Sequence, residues 1–258
     1  MKKIFVMSFV ALVAMTMMSC VSLVNKQYRN DTPSQVSEIE KVTAMQTFDK
    51  VNVEAPVNVI LEQTGSNTVR VKGTNEQLEK MTIYVDKDGL TIDLKEYNQG
   101  FFDDLKNNFK GVTVFVTVDA LKGIKITGAG DVTIPAALKS DDLNLHVTGA
   151  GDMNVAQLTC KNLDIKITGA GDMTMGAINA DAVTAKITGA GNVEVASLVA
   201  KSLDNKTTGA GNMEFKNMNV DVVKSHISGA GNVTLSGTVG SHEEKITGVG
   251  SIDVSGLK

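Results

Sequence analysis

Two sets of side chains in this sequence carry chemically active groups, and both recur at nearly constant intervals. In the first set an aspartate follows a Gly-Ala-Gly triplet, at Asp131, Asp152 and Asp172. In the second set a lysine or histidine stands two residues before the hydroxyl residue that precedes each triplet. We call this second set the lysine–histidine row, and its members are Lys125, His146, Lys166, Lys186, Lys206, His226 and Lys245. The acids suggest cation binding, and the cations suggest an anionic ligand.

A metal site is the weaker of these two interpretations. Calcium-binding glycine-rich repeats have a period near nine residues and a carboxylate in each turn. Here the period is about 20, and the acid is replaced by Asn192, Asn212 and Asn232 in the later copies. Because a hard cation prefers several charged oxygens, this replacement favours a hydrogen-bonded ladder at a turn. We therefore expect neither a metal ion nor a cofactor.

The lysine–histidine row lies beside a row of hydroxyl residues, which we call the threonine row: Thr127, Thr148, Thr168, Thr188, Thr208, Ser228 and Thr247. A basic row beside a hydroxyl row could receive an acidic glycan, with Thr168 and Thr188 at its centre. The alternative is a solvated face whose lysines are neutralised by nearby acids and which resists lateral sheet aggregation. The acids that would do so are Asp164, Asp204, Glu194 and Glu214.

The elements that must position these side chains follow from the repeat itself. The copies start at intervals of 19 to 21 residues, and a fixed period of this size indicates a solenoid. Each copy contains three short runs in which alternate residues are apolar, separated by turns. The third copy shows the pattern, with apolar residues at Leu163, Ile165, Ile167, Met173, Met175, Ile178 and Ala180. The sequence predicts an all-β, right-handed parallel β-helix of about seven three-sided coils of roughly 20 residues each.

A single head domain is predicted for residues 45–258, with the repeats at 123–258. Residues 45–122 alternate between apolar and polar without repeating, and Asp86-Lys-Asp-Gly89 reads as a hairpin turn. We interpret them as a β-rich cap and first coils. Toward the C-terminus the inward position of Ile165 becomes Asn205 and then Ser225, so packing should loosen there. A second copy of the chain is a candidate partner for this open C-terminal coil.

The N-terminus reads as an export signal. Residues 1–19 combine a basic start with an apolar run and end at Ser19-Cys20, which resembles a bacterial lipobox. That resemblance implies lipid attachment to Cys20 and a membrane as partner; the alternative is an ordinary signal peptide. Residues 20–44 then form a flexible tether, and we expect an outer-membrane lipoprotein facing the periplasm or the cell surface. Without Lys2 and Lys3 the formal charge falls from −4 to −6, which argues against nucleic acid as a partner.

Two further features are each open to a structural interpretation. Aromatic residues concentrate between 97 and 109, and this segment is either a short amphipathic helix that covers one end of the core or an exposed patch for an envelope protein. The patch residues are Tyr97, Phe101, Phe102 and Phe109. Cys160 falls in a repeat position otherwise held by Ala180 and Ala200, so we expect a packed thiol rather than a nucleophile.

The lipobox-like leader, the Asp86–Gly89 hairpin and the serial Gly-Ala-Gly-Asp/Asn corners together resemble the family of putative auto-transporter adhesins with a head GIN domain. The resemblance covers roughly residues 45–250. It implies a right-handed parallel β-helix at the cell envelope and supplies no catalytic or binding residue.

We expect a non-enzymatic adhesin or interaction module. The alternatives are a structural envelope scaffold and a polysaccharide-active β-helix enzyme such as a lyase. Such an enzyme needs long loops and clustered acidic and basic side chains, whereas these coils are minimal and the only arginines are Arg29 and Arg70. No catalytic residue is therefore assigned.

Overall fold

The structure, a computed structural model, describes residues 24–26, 39–44, 46–95, 109 and 111–258. This part of the chain contains eighteen strands and one short helix, α1 (Asn75–Lys80). The strands are β1 Val24–Lys26, β2 Ile39–Ala44, β3 Lys50–Val53, β4 Asn58–Gln63, β5 Thr68–Gly73, β6 Met81–Asp86, β7 Gly89–Leu94, β8 Thr113–Val118, β9 Gly123–Gly128, β10 Asp131–Lys139, β11 Asp142–Gly149, β12 Met153–Thr159, β13 Asn162–Gly169, β14 Met173–Gly189, β15 Asn192–Gly209, β16 Asn212–Gly229, β17 Asn232–Gly248 and β18 Ser251–Leu257.

Parallel pairing between successive repeats builds a β-solenoid of about seven turns, which confirms the predicted fold class. Equivalent residues lie opposite one another, so that Ile167 faces Val147 on one side and Ile187 on the other. The apolar residues of each run point inward and are fully buried, as at Leu163, Ile165 and Ile167. The core is therefore a set of stacked columns, as the repeat predicts.

The glycines of each corner are required by the close approach of successive coils. The first glycine of the triplet has φ between 108° and 140° throughout the seven corners, a region that other residues rarely adopt. The second glycine is required because there is no room for a side chain: a Cβ on Gly171 would collide with the carbonyl oxygen of Gly151 in the preceding coil. The repeated triplet is thus a corner that every coil must turn.

The order of the coils along the axis differs from the order in the sequence at the N-terminal end. β3 pairs in parallel with β7 on one side and β9 on the other, so Val51 lies between Leu90 and Ile124. β4 likewise lies between β8 and β10. The strands β7 and β8 therefore cover the coil formed by β3 and β4. The antiparallel strands β6 and β5 continue the two sheets beyond them.

Three elements near this end were not expected: a helix and two strands. The helix α1 starts at a capping box in which the Thr74 hydroxyl accepts from the Gln77 backbone N–H and the Gln77 side chain accepts from the Thr74 N–H. β2 lies in the segment expected to be a flexible tether, yet it pairs along its length with β5. β1 pairs in turn with β2, so strand pairing reaches Val24, within the segment predicted as a tether.

The C-terminal end of the solenoid has a partly polar interior, as the sequence predicts. Asn205 and Ser225 are buried in register, and the Asn205 side-chain amide donates to the Ser225 hydroxyl at 2.8 Å. The next residue in this column is Glu244, whose carboxylate lies 3.3 Å from the His242 imidazole. Ile246 closes the neighbouring column and is 45% exposed. Packing thus loosens over the last two coils.

Candidate functional site: the lysine–histidine and threonine rows

Strand pairing brings the predicted basic residues into one continuous row. His146 lies opposite Lys125 on β9 and opposite Lys166 on β13. The row continues without a register shift through Lys186 and Lys206. His226 and Lys245 complete it on β16 and β17. Neighbouring members are therefore one strand spacing apart, about 4.8 Å, and all seven lie on the same face of the solenoid.

The alternation of buried and exposed positions makes the row point outward. In β13, Lys166 stands between the fully buried residues Ile165 and Ile167. Because successive side chains of a strand point to opposite faces, the two apolar neighbours fix the lysine on the surface. The same alternation exposes Thr168 and places it two residues along the strand. The threonine row is in register as well, with Thr168 opposite Thr188.

The lysines of the row make no ion pair with any residue that the structure describes, whereas lysines elsewhere on the solenoid do. Lys161 and Lys201, at another corner, bind Asp141 and Asp181 at 2.9 and 2.8 Å. These contacts raise the pKa of both ammonium groups above the ordinary value, chiefly through the side-chain hydrogen bonds. The charges of Lys125, Lys166, Lys186 and Lys206 have no such partner in that part of the chain.

The acids expected to neutralise the row are only partly available to it. Glu194 and Glu214 both bind Lys216, at 2.8 and 3.0 Å, on the face beyond the corner. These two acids lie across the corner as expected, but each makes its ion pair with a lysine on its own face. Asp164 does lie at the row, and its carboxylate is 3.1 Å from the Nε2 atom of His146.

The row ends at the N-terminal coils, where uncharged residues take its positions. Lys125 is followed in register by Asn52 on β3 and then by Thr91 on β7. The Asn52 amide donates to the Asp88 carbonyl and reaches the Thr91 hydroxyl at 3.5 Å. The cationic surface therefore belongs to the repeat coils and is absent from the described part of the cap.

The aspartates that suggested a cation site form a hydrogen-bonded ladder along a corner. The backbone N–H of each ladder residue donates to the side-chain oxygen of the ladder residue in the preceding coil. The Asp172 N–H, for example, donates to Asp152 Oδ1 at 2.9 Å. In the later copies the asparagine amide adds a second bond, as from Asn192 to Asp172 at 2.8 Å. The predicted ladder is confirmed and continues to Asn212, Asn232 and Ser251. Its carboxylates serve the backbone of the next coil.

The predicted aromatic patch falls mostly outside the described residues. Tyr97, Phe101 and Phe102 lie there, as does Cys20, the expected lipidation site. Phe109 is described, is 1% exposed and packs in the core. This residue therefore does not belong to an exposed patch. Its burial agrees with the alternative, in which the segment covers one end of the core.

Cys160 is a packed thiol, as its column predicts. It is 9% exposed, and the equivalent residues Ala180 and Ala200 are buried as well. Burial, assisted by the negative charges of Asp142 and Asp181, raises the pKa of the Cys160 thiol to about 11. A thiol that stays protonated in neutral solution is a poor nucleophile.

The chain resembles several solved structures and one family model. A putative adhesin from Bacteroides fragilis NCTC 9343 is 23% identical with a TM-score of 0.75, over 86% of this chain and 98% of that one. A putative adhesin from Parabacteroides distasonis ATCC 8503 is 21% identical with a TM-score of 0.67, over 84% and 96%.

A third structure, named a putative lipid binding protein and also from P. distasonis ATCC 8503, is 16% identical with a TM-score of 0.65, over 84% of this chain and 96% of that one. No curated protein matches the chain significantly. The single helix in the described part of the chain is too short to cross a membrane. A family model matches residues 47–217 and 200–258, nearly the whole of the solenoid. The chain belongs to the family described as putative auto-transporter adhesin, head GIN domain.

Proposed function

We propose that this protein is a non-enzymatic interaction module of the cell envelope, which binds an acidic glycan through the lysine–histidine row. The family and two of its structural neighbours carry the name of putative adhesins, which supports an exported protein that contacts other molecules. In this proposal the chain is held at the outer membrane by a lipid on Cys20, and the solenoid presents the row to the outside.

One observation carries the proposal: the five lysines of this register row have no ion-pair partner among the described residues. Stacking like charges at strand spacing costs free energy, and two other charged rows of this solenoid offset that cost with charges of opposite sign. At one corner acids and lysines alternate along the axis, in the order Asp141, Lys161, Asp181 and Lys201. On the face beyond the Gly-Ala-Gly corner, Lys216 pairs with both Glu194 and Glu214. An anionic ligand would supply the missing charge to the lysine–histidine row.

The threonine row favours a glycan among anionic ligands. Thr168 and Thr188 are exposed beside Lys166 and Lys186, and a hydroxyl group both donates and accepts hydrogen bonds. A sugar with carboxylates and hydroxyls would find a partner for each type of group on this face.

The test compares two triple variants that remove the same charge from different surfaces. Lys166→Gln, Lys186→Gln and Lys206→Gln together should lower binding to immobilised polygalacturonate by about 10- to 100-fold, taking a few tenths to 1 kcal/mol for each exposed charge pair. The control replaces Lys161, Lys201 and Lys216 by glutamine, which leaves the row intact and should change binding less than threefold. Both variants are first checked for native circular dichroism and cooperative unfolding.

Equal binding by the row variant and the wild type would contradict the proposal. A second measurement addresses the non-enzymatic part of it, since release of shortened oligosaccharides from a panel of acidic glycans would show an enzyme. Anchoring is tested by detergent-phase partitioning of the protein expressed with its leader, where Cys20→Ala should move the protein to the aqueous phase.

A further inference from the structure

We infer that the ligand of the lysine–histidine row is a linear acidic polysaccharide lying along the solenoid axis, and that His146 and His226 lengthen its binding site in weakly acidic solution. This inference rests on the proposed function and adds the ligand's direction, its minimum length and its dependence on pH.

The direction follows from what a chain would meet along and across the strands. Across β13 the outward residues are Asp164, Lys166 and Thr168, so a ligand lying that way meets one cation beside one acid. Along the axis the register places a lysine or histidine on each of seven neighbouring strands. At about 4.8 Å per strand the row is about 29 Å long. A polyanion can therefore contact many cations of the row only when it lies along the solenoid axis.

The order of residues in the row divides it into a centre and two extensions. Three lysines, Lys166, Lys186 and Lys206, occupy adjacent strands, and a histidine stands next to them at each end. Beyond the histidines a further lysine follows, Lys125 on one side and Lys245 on the other. With neutral histidines the longest uninterrupted run of cations is three. With protonated histidines it is seven.

Charges of both signs surround the imidazole of His146, and a bound anion would add a negative charge to them. Lys125 on β9 and Lys166 on β13 flank the imidazole in register, and both oppose a positive charge. Asp164 on β13 lies 3.1 Å away and supports it. A carboxylate of the ligand would offset the two lysines, and because binding and protonation are linked, protonation would in turn tighten binding.

His226 lies at the other end of the central run, and no acid contacts its imidazole among the described residues. Lys206 on β15 and Lys245 on β17 flank it in register, and Lys224 lies two residues away on its own strand. The acids nearby are Asp204 and Glu243, which lie opposite Lys224 on the two neighbouring strands. Because imidazole is the side chain that commonly changes its charge between mildly acidic and neutral solution, the two extensions are tested by comparing binding at two pH values.

The experiment measures binding of fluorescently labelled α-1,4-oligogalacturonates of three and nine residues at pH 7.5 and 5.5, at constant ionic strength. The trimer should bind the central lysines with an affinity that changes less than twofold with pH. The nonamer should bind more tightly at both pH values and gain a further 4- to 25-fold at pH 5.5, taking about two- to fivefold for each new cation. Raising the salt concentration should weaken both.

The decisive variant is His146→Gln with His226→Gln. Both residues are partly exposed, so the fold should tolerate the change. The nonamer should keep its affinity at pH 7.5 and lose the gain at pH 5.5. His242→Gln is the matched control, because His242 pairs with Glu244 at the open end, away from the row, and it should retain the gain.

The outcomes separate this inference from the proposed function. Equal affinity for trimer and nonamer, or a pH response that survives the double histidine variant, would overturn the axial arrangement. If the nonamer nevertheless loses its binding in the Lys166, Lys186 and Lys206 variant, the proposed function stands. If that variant binds as the wild type does, both fail. Equally tight binding of linear polyphosphate, or binding of phosphatidylglycerol vesicles in place of the oligogalacturonates, would overturn the choice of polysaccharide.

Discussion

Single residues in this solenoid take their role from which side of a strand they occupy. In β13, Ile167 is fully buried while its neighbours Lys166 and Thr168 are exposed. The repeat makes this assignment reliable from sequence alone, because a column that is apolar in six of seven copies shows the inward side directly. Residue type then decides between structure and function: the inward column supplies stability, and the outward rows carry the charge.

Replacing Ile167 by aspartate should abolish cooperative folding. The side chain lies in mid-stack, and a carboxylate there would be buried without a partner, which costs several kcal/mol. The measurement is urea unfolding followed by circular dichroism. Thr168→Asp introduces the same charge one position along on the exposed side, and it should unfold cooperatively near the wild-type midpoint. A near-native unfolding curve for Ile167→Asp would contradict the column assignment.

The thiol of Cys160 should react slowly with iodoacetamide in the folded protein. A pKa of about 11 instead of the ordinary 9 lowers the thiolate fraction at pH 8 by about 100-fold, and burial slows access further. In 8 M urea the reaction should proceed at the rate of a free cysteine. Rapid labelling of the folded protein would show that the thiol is accessible.

The raised pKa of the Cys160 thiol also makes the free energy of unfolding depend on pH. Because the folded pKa is raised above the unfolded one, the contribution of the thiol is complete below about pH 9 and is lost as the pH rises toward 11. Cys160→Ala should therefore show a smaller loss of stability over this interval than the wild type. The comparison between the two proteins cancels the titration of the lysines.

The corner after each Gly-Ala-Gly triplet keeps its geometry along the solenoid while the residue that follows the triplet changes from aspartate to asparagine. The corner ladder begins with three stacked carboxylates, Asp131, Asp152 and Asp172, and continues with asparagines. Within the acidic part only backbone N–H groups donate to the next side chain, whereas the asparagines also donate from their amides. Like charges at strand spacing repel, so the two halves of the ladder should respond in opposite ways to exchange.

We expect Asp152→Asn to raise the free energy of unfolding and Asn192→Asp to lower it, each by about 0.5–1 kcal/mol. The first change removes a charge between two carboxylates, and the second places a fourth carboxylate next to Asp172. Both differences should shrink at high salt, where the charges are screened. Effects of the same sign in the two variants would contradict a ladder limited by repulsion.

The sequence identifies the elements well and their spatial order less well. Strand positions, the β6–β7 hairpin and the inward columns follow from alternation and period. The placement of β7 and β8 outside β3 and β4 does not, because short alternating strands pair equally well with several neighbours. Helix α1 could have been predicted from the sequence, because Thr74 and Gln77 have the spacing of a capping box, with a threonine followed three residues later by a glutamine. The ion pairs of Glu194 and Glu214 depend on which face Lys216 occupies, which a linear sequence does not show.

The molecule as a whole changes in character from one end to the other. The inward columns of the N-terminal coils are apolar, as at Val51, Leu90 and Ile124, and further strands cover these coils. Toward the C-terminus the interior gains Asn205, Thr207 and Ser225, and the Asn205 carbonyl oxygen and the Thr207 hydroxyl are buried without a hydrogen-bond partner among the described residues. Unpaired buried polar groups each cost about 1–3 kcal/mol. Stability should therefore decrease along the axis.

Native-state hydrogen exchange should reveal this gradient. Amides of β13 and the first half of β14 should exchange most slowly, and those of the second half of β17 and of β18 should exchange fastest among the repeat strands. Thr207→Val removes the unpaired hydroxyl at constant shape and should slow exchange in β15 and β16 while raising the free energy of unfolding by about 1 kcal/mol. Uniform protection over all coils would contradict the gradient.

The covering of β3 and β4 by later strands has a consequence for the order in which the protein is made. Once residues 46–118 have been synthesised, one side of the first coil is closed by β7 and β8, and only the side that receives β9 and β10 remains open. Each new coil then has a completed template beside it, so assembly can proceed in one direction without a distant partner. Gene duplication can lengthen such a protein at the growing side without disturbing its start, and each added copy with the same outward residues would contribute one further cation to the ligand-binding surface.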